Sequence, residues 1–115
     1  LETMRFSAGP RMLSTRQGCT AVVIDAGRIL VAGGLDENDA SLRTTEILDF
    51  GTMTFAPGPD MLSGRYGCSA VALLENPRRA LIVGGCDGDD LNLNTTLSSL
   101  TFASENLKSQ FPALS

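Results

Sequence analysis

A fifteen-residue phrase is written twice in this chain. "GPRMLSTRQGCTAVV" begins at Gly9, and "GPDMLSGRYGCSAVA" begins 49 positions later at Gly58. Farther along, the register becomes 51: "ILVAGG", ending at Gly33 and Gly34, meets "ALIVGG", ending at Gly84 and Gly85, and Thr44-Thr45 meets Thr95-Thr96. Upstream, "TMRFSAGP" from Thr3 echoes "TMTFAPGP" from Thr52. A period near fifty with this much identity marks a repeat architecture, in which one supersecondary unit cannot bury its apolar face alone and stacks on its neighbour. The 115 residues hold two such units, within the size of a single domain.

Each unit reads as four short strands. "CTAVVID" and "CSAVALL" are almost continuously apolar, the pattern of a strand covered on both faces. Turns follow at Asp25-Ala26-Gly27 and Glu75-Asn76-Pro77, with residues that bend a chain for local reasons. "RILVA" and "ALIV" make the second strand, stopped by the paired glycines. After a polar loop, "TEILDF" alternates as a half-buried strand does, and "TMTFA" closes the unit. Helical periodicity with caps appears nowhere, so the expected class is all-β.

The doubled glycine after an apolar strand, recurring at this period, resembles the kelch repeat, whose unit is one four-stranded blade of a β-propeller. "Arg-x-Gly" ahead of the first strand and "GRILVAGG" after the turn carry the likeness, from about Met4 to Leu107. Kelch units also tend to hold a Tyr and a later Trp. Leu48 and Phe55 stand at that separation here, with Leu100 and Leu107 in the second unit, and the chain has no Trp. The resemblance implies a kelch-like propeller segment. Residues 1–8 are an outer strand of a preceding blade, 9–57 the first blade, 58–111 the second, and 112–115 a tail. Gly33, Gly34, Gly84 and Gly85 are structural on this reading, since backbone crowds backbone where blades converge and only glycine lacks a Cβ.

Propellers have several blades, and two leave apolar faces open. Three arrangements are expected to compete: a segment of a larger propeller, a ring closed by identical copies (three giving six blades), or a lone open stack with exposed edges. The start at Leu1 reads as an excised piece.

Composition narrows the chemistry. Net charge is −4, with no basic cluster beyond Arg78-Arg79, so a phosphate backbone finds little to hold and nucleic acid is not an expected partner. The longest apolar runs, "AVVI" and "AVALL", are far short of a membrane helix. The chain has no His, which removes the commonest general base and the imidazole metal ligands. Propellers resembling kelch also occur in copper radical oxidases, which need His, Tyr and Cys together; this chain has one tyrosine, Tyr66, and no His. Cys19, Cys68 and Cys86 are odd in number and form no CxxC, so packed, reduced thiols are expected, with a lean to a reducing compartment. Asn94-Thr95-Thr96 is a glycosylation sequon that matters only in a secreted protein. The acidic loops, with Asp36, Glu37 and Asp39 in one unit and Asp87, Asp89 and Asp90 in the next, lack the spacing of a calcium loop. No catalytic residue, metal or cofactor is expected.

Arg16, Arg65 and Tyr66 are the candidate partner-binding residues. Both arginines lie three positions before the first-strand cysteine, at an edge that in kelch propellers helps to dock partner proteins, where a guanidinium can hold an acidic segment in bidentate fashion. The alternative is an internal ion pair tying neighbouring blades, which suits a residue repeated at equivalent positions. Tyr66 beside Arg65 has the character of an interface hot spot. The expected function is therefore a protein–protein interaction module. The alternative is a non-catalytic scaffold portion of a propeller enzyme of the copper radical oxidase or sugar isomerase kind.

Overall fold

The structure, a computed structural model, describes residues 4–73, 78–89 and 91–102. The first unit is an antiparallel sheet of β1 (Thr20–Asp25), β2 (Arg28–Ala32), β3 (Thr45–Asp49) and β4 (Thr54–Pro57), hydrogen-bonded in chain order. The second repeats the plan with β5 (Ser69–Leu73), β6 (Arg78–Val83) and β7 (Thr96–Phe102). No helix occurs among the described residues, and the protein is all-β. The expected closing strand of the second unit, with Leu107, and the turn at Glu75-Asn76-Pro77 lie outside the described residues, as do Asp90 and residues 1–3. Residues 4–8 belong to no strand, and Met4 and Phe6 are fully exposed.

The register shows why the sequence repeats. Val31 of β2 pairs with Glu46 of β3, and Ile82 of β6 pairs with Leu97 of β7, the same two places 51 residues on. Leu48 pairs with Phe55 across β3 and β4, so the separation noted in the sequence is a cross-strand contact. The β1–β2 turn is held by Asp25, which accepts the Gly27 N–H at 2.9 Å and the Arg28 Nε–H at 2.8 Å. Burial pushes the Asp25 carboxyl upward, but hydrogen bonds from Arg28 and the Gly27 amide and the charges of Arg28 and Arg78 outweigh it, so the net shift is downward.

The two sheets stack front to back. Ile24, Leu30 and Ile47 on one face of the first sheet bury against Ala80 of the second, while Ala32 meets Cys68 and Ile82 with Met61 and Ala70 alongside. Burying side chains of this size contributes about 1.5–3 kcal/mol each for Ile and Leu. The repeat counterparts of Ile24 and Ala32 are Leu73 and Val83, which face away from the first unit and stay exposed. Coverage on both faces, expected for the first strand of each unit, is therefore realised on one face only. Val23 is 54% exposed because no sheet among the described residues stacks on its face of β1, whereas Ile24 on the other face is 2% exposed.

Backbone hydrogen bonds stitch the seam. Gly34 N–H donates to the Arg65 carbonyl at 2.7 Å, Met61 N–H to Arg43 O at 2.7 Å, Arg65 N–H to Leu42 O at 3.2 Å, and Gly67 N–H to Gly18 O at 2.8 Å. Gly33 stands at the tightest point. Its φ is +69°, and a Cβ there would be driven into the Arg65 carbonyl oxygen, with Met61 Cε at 3.2 Å. Its counterpart Gly84 has nearly the same φ, +68°, but a Cβ would meet only Leu93 O at 3.6 Å.

This difference separates conformation from crowding. Gly84→Ala is expected to cost about 1–2 kcal/mol, the left-handed backbone alone, whereas Gly33→Ala adds a clash with rigid backbone and costs at least twice as much. Urea unfolding of the two variants checks this, and equal losses would show that the seam does not crowd Gly33.

Candidate functional site

The residues singled out from the sequence gather at one end of the sheets, where β1 begins, β2 ends and the loop of residues 33–44 returns to β3. Each sheet continues into this rim through isolated bridges: Gln17 to Leu35 to Ser41 in the first unit, and Tyr66 to Cys86 to Asn92 in the second. The first aspartate of each loop turns the chain. Asp36 accepts the Asn38 and Ala40 amides at 2.8 and 3.0 Å, and Asp87 accepts those of Asp89 and Leu91 at 2.9 and 3.1 Å. Glu37, Asp39 and Asp89 project from the same loops and are exposed.

Arg16 and Arg65 lie beneath this rim, buried. Arg16 Nη1 donates to Gly33 O at 3.0 Å and to Thr44 O at 2.8 Å, and its Nη2 donates to Thr44 Oγ1 at 2.9 Å. Arg65 repeats the arrangement 49 residues on, with Nη1 to Gly84 O at 3.0 Å and Thr95 O at 2.9 Å, and Nη2 to Thr95 Oγ1 at 2.6 Å. Each guanidinium thus fastens the glycine just after the second strand of its unit to the residue before the next strand, closing the loop at its base. A planar fork with fixed donors suits two carbonyls and a hydroxyl; a lysine ammonium does not match that geometry.

Glu46 is the residue that the sequence reading missed. Its Oε2 accepts Arg16 Nε–H at 2.8 Å in a fully buried ion pair, and its carboxylate also takes the Leu13 amide at 2.6 Å and the Ser14 amide at 3.0 Å. The pair lies within one unit, not between blades. The second unit has Leu97 at this position, and Arg65 Nε, also buried, has no acceptor among the described residues. The two clamps therefore differ by one carboxylate.

Tyr66 is half-buried at the seam, its Cβ 3.9 Å from the place a Gly18 Cβ would take. The backbone of Tyr66 exchanges hydrogen bonds with Cys86 at 3.0 and 2.9 Å. The thiols are all free. Burial pushes the Cys68 thiol above its ordinary value, Cys19 adding to it and Arg65 opposing it. Cys86 is more open, its Sγ donating to Asn92 Oδ1 at 3.3 Å. No group of three or more His, Cys, Asp or Glu able to hold a metal occurs among the described residues.

Two outcomes follow. Glu46→Leu strips a buried Arg16 and two amides of their acceptor and is expected to cost about 3–5 kcal/mol in urea unfolding, with Glu46→Gln costing less and Arg16→Met recovering part of the loss in the double variant. A cost below 1 kcal/mol would show that the ion pair holds nothing. Alkylation of the native protein at neutral pH, followed by mass spectrometry, is expected to reach Cys68 last of the three thiols, because burial both shields the sulfur and disfavours its thiolate.

Comparison with protein families finds the kelch motif over residues 16–62, the stretch that runs from the Arg16 clamp through the first sheet to the start of the seam segment. No curated protein matches the chain. The first unit is thus similar to the kelch repeat over the matched residues, and the second unit repeats both its sheet register and its arginine clamp.

Proposed function

We propose that this protein is an interaction module, a segment of a kelch-type propeller that binds another protein through the loop rim. The observation that carries the reading is the kelch motif over residues 16–62, since kelch repeats commonly serve protein–protein contact. The geometry supports it. Two stacked sheets give a rigid base, and the buried clamps fix both ends of each loop, so little ordering entropy remains to be lost on docking. Loops on a rigid scaffold are where recognition residues concentrate.

On this reading Arg16 and Arg65 are positioning residues. Their guanidinium donors face carbonyls inside the protein, so an acidic segment finds no exposed guanidinium at these two positions. Tyr66, half-buried beside the seam, is the anchor, and the exposed Glu37, Asp39 and Asp89 favour a partner with basic groups by charge complementarity. Function here is binding rather than catalysis. A scaffold portion of a propeller enzyme is the competing reading, and it predicts no partner that depends on these loops.

The test is selection of a displayed peptide library on the immobilised chain, followed by binding measurements on rim variants. Peptides carrying basic residues are expected to be enriched, and Tyr66→Ala is expected to weaken them by about tenfold or more, a loss of about 1.4 kcal/mol or above, with circular dichroism checking that the sheets are retained. Arg16→Ala lowers the melting temperature instead. Failure to select any peptide that depends on Tyr66 or the loops sinks the proposal.

A further inference from the structure

In the first unit the Glu46 carboxylate gathers three donors: the Leu13 amide at 2.6 Å on Oε1, with the Ser14 amide at 3.0 Å and Arg16 Nε–H at 2.8 Å on Oε2. Their counterparts 49 residues on are the Leu62 amide, the Ser63 amide and Arg65 Nε–H. Among the described residues none of these three has an acceptor. The cause lies in the third strand of each unit. Glu46 pairs with Val31, and the same register place, opposite Ile82, belongs to Leu97, which brings no oxygen.

The three donors are nevertheless held as a set. Met61 N–H donates to Arg43 O at 2.7 Å and Arg65 N–H to Leu42 O at 3.2 Å, so the segment that carries the Leu62 and Ser63 amides is pinned at both ends. Gly64 within it lies so close to Ser41 that a Cβ there would stand 2.7 Å from the Ser41 carbonyl oxygen. The Arg65 guanidinium is fixed through Nη1 and Nη2 by Gly84 O, Thr95 O and Thr95 Oγ1, the acceptors that Arg16 finds in Gly33 and Thr44. A guanidinium is planar, so fixing two nitrogens fixes the heading of the third. Arg65 Nε–H therefore keeps the direction that Arg16 Nε–H takes toward Glu46. Arg65 is 2% exposed and Leu62 87%, so the donors run from a buried cation out to the surface, where a ligand enters.

We propose that the second unit binds the carboxylate group of a ligand, one oxygen on the Leu62 amide and the other on the Ser63 amide and Arg65 Nε–H. The ligand supplies from outside what Glu46 supplies in the first unit. A buried cationic donor without an acceptor is costly, and a charge-assisted bond to an anionic oxygen removes that cost. The chemistry recognised is a single carboxylate, carried by a free small acid or by a glutamate side chain of a peptide. Tyr66 and the acidic loops take no part in it, so this inference stands apart from the rim as a docking surface.

The experiment is a titration of the whole, isotope-labelled chain with sodium formate, followed by proton–nitrogen NMR, against sodium chloride at matched ionic strength. The Leu62 and Ser63 amides and Arg65 Nε–H are expected to shift together and saturate, with a midpoint of about 1 mM or weaker, the ceiling for a ligand of so few heavy atoms. Leu13, Ser14 and Arg16 Nε–H, already served by Glu46, are expected to stay still and act as the internal reference. N-acetylglutamic acid amide in place of formate distinguishes the sources: a tighter midpoint assigns the site to a peptide side chain, and saturation by formate alone assigns it to a free acid. In Leu97→Glu, which gives the second unit its own carboxylate, the formate response is expected to vanish. Should that variant not fold, the parent titration decides by its internal reference. No saturating shift in the parent, an equal response to chloride, an equal response from the donors of the first unit, or a response that persists in folded Leu97→Glu each overturns the proposal.

Discussion

A charged guanidinium buried in each unit is the constraint to which the rest of the structure answers. Taking Arg16 or Arg65 out of water costs several kcal/mol unless its N–H groups find acceptors. The acceptors are the carbonyls at the two ends of one loop, Gly33 with Thr44 and Gly84 with Thr95. Satisfying the arginine therefore requires that the second strand end where it does, that the loop return to the same spot, and that the third strand start there. Arg65 does more: its carbonyl receives the Gly34 N–H of the first unit while its side chain staples the second. One residue thus joins loop closure within a unit to stacking between units, and Gly33 lacks a Cβ so that this carbonyl can come close.

That linkage explains which parts were legible in the sequence. The four strands of the first unit, the paired glycines and the first turn were readable because each has a local cause: apolar runs, left-handed φ, an aspartate two residues before an amide it accepts. The arginines were visible as repeated residues, but the side on which their donors lie was not, since it depends on carbonyls 17 to 30 residues away. Glu46 escaped for the opposite reason. It occurs once, because Leu97 stands at its place in the second unit, and a reading built on recurrence passes over what does not recur. The signal was there in the interruption: a carboxylate between two apolar-facing positions of "TEILDF", opposite Val31 in a strand otherwise suited to burial.

The apolar first strands show a further limit. "CTAVVID" and "CSAVALL" have the composition of strands covered on both faces, and composition does not record how many neighbours are present. With two units there is one seam, so β1 and β5 each bury one face and leave the other open. The exposed valines are consequently not misplaced residues. They carry the residue types that the stacked arrangement needs at every repeat, as Ala80 and Ile82 show by being buried at counterparts of Ile29 and Val31.

The two units are alike in sequence yet unequal in satisfaction, and the inequality has a direction. The first unit has its Arg16 fully matched by Glu46 and its front covered. The second keeps an unmatched Arg65 Nε and an uncovered front. In a stack held by nearest-neighbour contacts, the unit with the fewest satisfied groups opens most easily. The second unit is that unit here, for two causes of different kind. The missing carboxylate is written in the sequence at Leu97 and persists in any assembly. The exposure of Val71, Leu73 and Val83 belongs to the face of the second sheet that points away from the first.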